Sequence, residues 1–146
     1  MSQNLVFKVK EVEGFSPPWA GGAAVAKLLI DDQSVGSRSL VVNHFVLKSG
    51  RTTGEMGKHP PPYDEVYYVL RGHALLKLGE PPEVFELEPD TVVFIPGGMG
   101  HSVDNTGTED LELVTIMPGP IRHGVTTTYD ERIEAWGTSF RLKPGA

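Results

Sequence analysis

Two short segments of the sequence hold side chains that could bind a metal ion. Residues 59–72 begin with His59 and place Glu65 at the start of an apolar run, and residues 90–105 place His101 just after a turn rich in Gly and Pro. Imidazole and carboxylate together suit a divalent transition metal such as Fe, Mn, Ni, Co or Zn. Two strands that face each other in one barrel would gather His59, Glu65 and His101 around a single point. We therefore predict that these three side chains hold one divalent metal.

The same segments resemble the two sequence motifs of the cupin superfamily. The first motif ends with Glu65, six further residues and Gly72, as in that family. The second motif is matched without a gap, at Pro96, Gly98, His101 and Asn105. The first motif also departs from the family pattern, in which a His-x-His pair precedes the Glu. His59 takes the first of these positions, but Pro61, which has no ligating atom, takes the second.

The resemblance implies an all-β fold, a single double-stranded β-helix (cupin or jelly-roll) barrel. It implies one domain over residues 1–146 with a motif core at about 40–117, followed by a short C-terminal helix or an irregular tail. Cupins commonly dimerise, so the resemblance also implies a homodimer, in which apolar side chains such as Tyr68 and Leu70 on the outer sheet surface would be covered.

Hydrophobic alternation and turn residues predict strands along most of the chain. Residues 5–10 alternate as a half-buried strand does, and residues 14–22 are too rich in Gly and Pro for regular structure. Further strands are predicted at 23–31, 39–48, 65–71, 73–79, 83–87, 91–95, 101–105 and 111–117. The only plausible helix is short, from Tyr129 to Trp136. Seventeen Gly and twelve Pro among 146 residues agree with a barrel of short strands.

Side chains alternate between the two faces of a strand, and this places the candidate site residues. If Glu65 points into the barrel, Tyr67 and Val69 share its face, and Tyr67 lines the cavity. The extended backbone imposed by the preceding prolines carries the alternation back to Tyr63. Tyr63 and Tyr67 are therefore the predicted catalytic proton donors. Asn105 is predicted to be a structural turn residue.

Two other histidines are candidates for substrate binding, together with Tyr67. His44 lies in an apolar strand whose inward face the sequence does not fix, so it is a fourth metal ligand, a substrate contact, or a core or interface residue. His123 follows the last barrel strand and either covers the cavity mouth or lies in a surface loop. His73 follows Gly72 directly and is predicted to be an exposed turn residue.

Several functions are compatible with a His–Glu–His metal set. A Lewis-acidic metal would polarise a carbonyl or hydroxyl of a small oxygenated metabolite, which leads to redox-neutral isomerase, lyase or cyclase chemistry. The alternatives are a non-haem Fe(II) dioxygenase, which uses two His and one carboxylate, and a non-catalytic ligand-binding cupin, which Pro61 favours. A structural interaction barrel is a further possibility. Residues 65–70 and 88–96 also resemble cupin-type phosphoglucose isomerases, which keeps a sugar-phosphate isomerase as a minority hypothesis.

Composition narrows the classes of partner. The formal net charge is −6, and there is no basic stripe that could neutralise nucleic-acid phosphates. No apolar run approaches the length needed to cross a membrane, and the N-terminus lacks a signal pattern. With no cysteine there is neither a disulfide nor a thiolate ligand. We expect a small-molecule substrate or ligand, no nucleic acid, no membrane, and a cytoplasmic location by default.

Overall fold

A computed structural model describes residues 4–146. The described chain forms eight β-strands, one α-helix and two short 3-10 turns, at Val9–Glu11 and Pro18–Ala20. In chain order the elements are β1 (Ala24–Ile30), β2 (Leu40–Leu47), β3 (Glu65–Arg71), β4 (Ala74–Leu78), β5 (Glu83–Leu87), β6 (Val92–Ile95), β7 (His101–Asp104), β8 (Leu111–Pro118) and α1 (Thr127–Trp136). No helix among these residues is long and apolar enough to span a membrane.

The strands form two antiparallel sheets. The larger has the order β1-β2-β8-β3-β6, and the smaller has the order β5-β4-β7. Sequence neighbours β3 and β4 lie in different sheets, and so do β6 and β7, so the chain crosses repeatedly between the two layers. The predicted all-β, double-stranded β-helix fold is thus confirmed.

The main core lies between the two sheets because each strand buries one of its faces. In β8, Leu111 and Leu113 are fully buried, while Glu112 between them is half-buried. They pack with Val69 from the same sheet and with Leu76 and Val103 from the smaller one. Val103 points inward from β7 and is 2% exposed. Burial of such side chains is the main favourable term in the stability of the barrel.

A second apolar cluster lies beneath α1. Met117, Ile121 and Val125 form it together with residues of β1 and β2. The helix begins where Thr126 accepts a hydrogen bond from the Tyr129 amide at 3.0 Å, and it ends at Gly137 in the left-handed conformation. The predicted short C-terminal helix is confirmed, with its start two residues earlier than expected.

The strand predicted at residues 5–10 is wrong. The structure has no strand there, and a 3-10 turn occupies Val9–Glu11. Leu5 and Val6 are 71% and 83% exposed, so their apolar alternation does not correspond to a buried face. The first bridge of the N-terminal segment joins Val12 to Leu142 in the C-terminal tail. Apolar alternation favours a strand only where the side chains pack on neighbouring strands and become buried.

Candidate metal centre

Glu65 is placed by the start of β3. The carboxylate points inward and is 7% exposed, and Tyr67 and Val69 share its buried face. Tyr68 and Leu70, on the other face, are exposed. This is the alternation predicted from the sequence, and pairing of β3 with both β6 and β8 fixes it.

The two histidines are held beside Glu65 by backbone hydrogen bonds between the second motif segment and residues 57–59. His101 opens β7, and its amide and carbonyl bond the carbonyl and amide of Gly57 at 2.8 and 3.0 Å. The His59 carbonyl accepts a hydrogen bond from the Gly98 amide at 2.6 Å. The His101 Nδ1 atom faces the Met99 carbonyl at 3.3 Å, which places the proton on Nδ1 and leaves the Nε2 lone pair free.

The three side chains converge on one point. His59 Nδ1 and His101 Nε2 each lie 3.7 Å from Glu65 Oε1, and the three ligand atoms lie within 4.8 Å of one another. Two ligands about 2.1 Å from one ion are at most about 4.2 Å apart, so both measured separations fit a shared metal. The donor set therefore fits a borderline divalent ion, with positions left open for other ligands.

Burial changes the protonation of this cluster. Burial lowers the pKa of His59 to about 4, helped by the nearby His101, and burial also lowers the pKa of His101. Burial raises the pKa of Glu65 to about 8. At neutral pH both imidazoles therefore have free lone pairs, whereas the carboxyl group must lose a proton when a cation binds.

The cluster opens into a cavity of about 430 Å³. Its polar lining includes the side chains of Asn43, Thr53 and Thr115, and Val103 and Leu113 are among the apolar residues. The start of α1 and Trp19 also line it. The Trp19 indole nitrogen donates to Thr128 at 2.8 Å, which ties the helix to the N-terminal loop at this side of the cavity.

The two tyrosines predicted as proton donors occupy different places. Tyr67 lines the cavity, with its ring 6.2 Å from that of His101. Burial, and then the charge of Glu65, raises the pKa of Tyr67 well above its usual value, so this phenol keeps its proton and is unsuited to act as a base. Tyr63 packs on the cluster beneath α1, and its hydroxyl donates to the Pro120 carbonyl at 3.3 Å. Tyr63 thus lies outside the cavity, and its position gives no support to a catalytic role.

His44 and His123 do not join the cavity either. Val41, Asn43 and Phe45 are the residues of β2 that line it, so His44 points to the opposite face, where its Nε2 lies 3.2 Å from Glu112. The side chain of His123 is 91% exposed and lies 3.8 Å from Asp130. Neither position gives support to the expected substrate contact.

Pro61 occupies the place of the missing second histidine. It is exposed, and the Gly97–Gly98 turn of the second motif packs against it so closely that a Cβ on Gly97 would lie 3.0 Å from the Pro61 Cα atom. The proline thus braces the loop that holds His59 without contributing a ligand.

Several cavity residues have no distinctive signal in the sequence. Arg132 of α1 is buried and lines the cavity, yet an arginine in a short amphipathic helix is usually solvated. Thr115 in β8 is buried, and its apolar sequence neighbours are those of an ordinary strand residue. Strand parity could have indicated Thr115, since it shares the inward face of Leu113. Nothing in the sequence around Arg132 distinguishes it from the other charged residues of the helix.

Comparison with known proteins agrees with this architecture. Residues 43–117 match the family model of the cupin domain. A predicted oxalate decarboxylase from Thermotoga maritima superposes with a TM-score of 0.67 at 22% identity, over 78% of this chain and 98% of that one. The polyketide cyclase RemF from Streptomyces resistomycificus superposes with a TM-score of 0.69 at 19% identity, over 91% and 94% of the two chains.

A third solved structure has higher sequence identity over a shorter segment. The putative sugar phosphate isomerase from Acidithiobacillus ferrooxidans superposes with a TM-score of 0.55 at 25% identity, over 68% of this chain and 62% of that one. The family model covers just over half of the 146 residues, including both ligand-bearing segments from Asn43 onward. This chain therefore belongs to the cupin family.

Proposed function

We propose that this protein is a mononuclear metal-dependent enzyme that acts on a small oxygenated metabolite by redox-neutral chemistry. The observation that carries the proposal is the convergence of His59, Glu65 and His101 at a cavity large enough for a small substrate. Three ligands from the protein leave room at the ion for substrate oxygens, which is the arrangement of a catalytic rather than a purely structural site.

The protein residues divide the work of such a site. A divalent ion held here supplies Lewis acidity toward a carbonyl or hydroxyl oxygen. His59 and His101 are neutral at pH 7 and offer lone pairs, and Glu65 supplies the balancing negative charge once it is deprotonated. Tyr67 retains its proton and donates a hydrogen bond to an oxygen of the substrate. Thr115 and Asn43 offer further hydrogen bonds from the cavity wall.

The choice of redox-neutral chemistry is supported by the cavity lining and by related proteins. Hydroxyl and amide groups in the wall suit a substrate with several oxygen atoms. The neighbours described above are named for a decarboxylation, a cyclisation and an isomerisation. A non-haem Fe(II) dioxygenase has the same ligand types and is the second candidate.

We further propose that the chain forms a homodimer through the outer surface of β3 and β6. Tyr68, Leu70, Val92 and Phe94 are exposed on these two paired strands, and a continuous apolar surface of this kind is typical of an interface. The cytoplasmic location stays a prediction.

The first test is the metal content of the purified protein, measured by elemental analysis. Wild type is expected to bind close to one divalent ion, and Glu65→Ala and His101→Ala are each expected to lose most of it while they remain folded. His73→Ala, which removes an exposed histidine, is the matched control and should keep the metal.

The identity of the metal then selects the reaction. Zn, Ni or Mn supports the redox-neutral branch and directs the search to isomerase, lyase and cyclase substrates. Iron accompanied by substrate-dependent oxygen uptake would identify a dioxygenase instead. A wild-type protein that stays metal-free after reconstitution would contradict the enzyme proposal and leave a ligand-binding cupin.

A further inference from the structure

Arg132 is an unusual residue for a helix on the outside of a barrel. It is 2% exposed, and neither its Nε nor its Nη2 atom has a hydrogen-bond partner among residues 4–146. A carboxylate within 4 Å of the guanidinium is also absent from this part of the chain. A buried guanidinium whose donors lack acceptors is destabilising, so a folded chain that keeps one calls for a reason.

Nearby groups hold the guanidinium without satisfying it. The Phe15 ring lies 5.6 Å from the Arg132 Cζ atom, which favours a cation over the ring face. Asp31 is buried nearby, and its charge opposes the lowering of the Arg132 pKa by burial. The carboxylate oxygens of Asp31 already accept hydrogen bonds from Gln33, Ser34 and Ser139. Burial lowers the pKa of Arg132 to about 10, so the side chain is positively charged at neutral pH.

The two atoms without partners have a chemical preference. The N–H groups of Nε and Nη2 lie on one side of the planar guanidinium and form a fork, which matches the paired oxygens of a carboxylate or phosphate. Arg132 lines the same cavity as Glu65, His59 and His101. The other basic residue in the lining, Lys58, is exposed to solvent, as is the acidic Glu55.

We infer that Arg132 is a substrate-binding residue that holds an anionic group, a carboxylate or a phosphate, of the molecule that occupies the cavity. The inference rests on the proposed function and narrows its substrate class to an anionic metabolite that also presents oxygen atoms to the metal. Arg132 belongs to α1, whereas the metal ligands belong to strands and a loop. The packing of the helix on the barrel therefore sets the distance between Arg132 and the metal ligands, and with it the length of substrate that fits.

The test measures anion binding by isothermal titration calorimetry on protein freed of metal with a chelator. The probes are succinate, its neutral diamide, and inorganic phosphate. Wild type is expected to bind succinate or phosphate at least about tenfold more tightly than the diamide. Arg132→Gln is expected to lose about tenfold or more of this affinity, and Arg132→Lys to retain part of it. Arg122→Gln removes an equal charge from an exposed position outside the cavity and should bind like wild type.

Each outcome bears on the inference. Equal affinity for succinate and its diamide in wild type would overturn it, and this comparison does not depend on any variant folding. Unchanged anion affinity in Arg132→Gln would also overturn it. Tighter binding of phosphate than of succinate would support the inference and identify the anionic group as a phosphate. Since the titration is made without metal, its failure is separate from a failure of the metal-content experiment.

Thermal unfolding of Arg132→Met supplies an independent readout. If Arg132 is retained for ligand binding, Arg132→Met should not lower the melting temperature, because the substitution removes a buried charge that is not compensated. A marked fall in the melting temperature would show that Arg132 is structural and would contradict the inference.

Discussion

Glu65→Gln tests both properties assigned to the Glu65 carboxyl group, which is protonated because it is buried and which supplies a ligand when a metal binds. The amide keeps the volume of the side chain and its capacity for hydrogen bonding, but it neither titrates nor supplies a carboxylate to a metal. In the metal-free protein, burial raises the pKa of Glu65 from 4.5 to about 8. The folded state therefore holds a proton that the unfolded chain releases above about pH 4.5.

The expected effect on stability follows from this difference in proton binding. The contribution of protonated Glu65 is fully present below pH 4.5 and is lost as the pH rises toward about 8. One pKa unit corresponds to about 1.4 kcal/mol, so by pH 7 the metal-free wild type should have lost on the order of 3 kcal/mol of its free energy of unfolding through this group. Glu65→Gln has no such loss. The lowered pKa values of His59 and His101 affect both proteins and largely cancel in the comparison.

The assay is urea unfolding of both proteins between pH 5 and 8, with a chelator or with excess ZnCl2. With the chelator, the variant should become progressively more stable than wild type as the pH rises. With zinc at about 100 times its dissociation constant, wild type should gain about 2.7 kcal/mol and the variant little. A stability difference that does not change with pH would refute the assignment of a buried, protonated Glu65. Equal stabilisation of both proteins by zinc would refute its assignment as a ligand.

Further predictions concern the same site and the framework that holds it. Below about pH 8, metal binding must displace the Glu65 proton, so the dissociation constant of the metal should rise about tenfold for each unit by which the pH falls. Competition with a chromogenic chelator measures this constant, and a pH-independent value would contradict the prediction. Gly72→Ala should destabilise the fold by at least about 2 kcal/mol, because the φ of Gly72 is +92° and the new Cβ would lie 2.6 Å from the Asp110 carbonyl oxygen. Gly54→Ala is the control for backbone strain alone, since the φ of Gly54 is +90° and its new Cβ would have no non-adjacent neighbour within 4 Å among the described residues. Asn105→Ala should lower the free energy of unfolding by about 2 to 3 kcal/mol, because the buried amide donates to the Leu47 and Glu109 carbonyls at 2.9 and 3.0 Å. Denaturant unfolding measures this loss, and the metal content should be unchanged. Little change in stability would refute the structural role of Asn105. Phe94→Lys should convert the proposed dimer to a monomer in light scattering, and a monomeric wild type would rule the dimer out.

Much of the fold and the convergence of the three candidate ligands could be predicted from local patterns. Glu65 begins an apolar run, so strand alternation alone puts Tyr67 and Val69 on its face, and the structure buries all three. Asn105 could be recognised as structural because it lies in a turn after a strand, and its amide indeed bonds two backbone carbonyls. Strand alternation and turn chemistry depend on neighbours a few residues away, which the sequence shows directly, whereas the Leu47 carbonyl that Asn105 bonds is brought to it by the fold.

Other expectations depended on pairing that the sequence does not show. The segment at residues 5–10 alternates like a strand but pairs with no strand, and it is irregular apart from a 3-10 turn. His44 lies in a predicted strand, but which of its faces is inward was decided by the register of β2 against β8, and that register turns His44 toward Glu112. Tyr63 shares the parity of the site, yet the loop directs its hydroxyl to the Pro120 carbonyl.

The sequence by itself determined the strand order along the chain, the family motifs and the chemical types of the candidate metal ligands, because each of these follows from short-range spacing. The tertiary structure alone decided the depth of burial of Glu65, the separation of Tyr67 from Tyr63, and the arrival of Arg132 in the cavity. These properties arise when segments far apart in the chain exclude water from one another. Burial by distant segments sets the pKa of Glu65 and leaves the Nε and Nη2 atoms of Arg132 without partners among residues 4–146. No local pattern in the sequence encodes this burial.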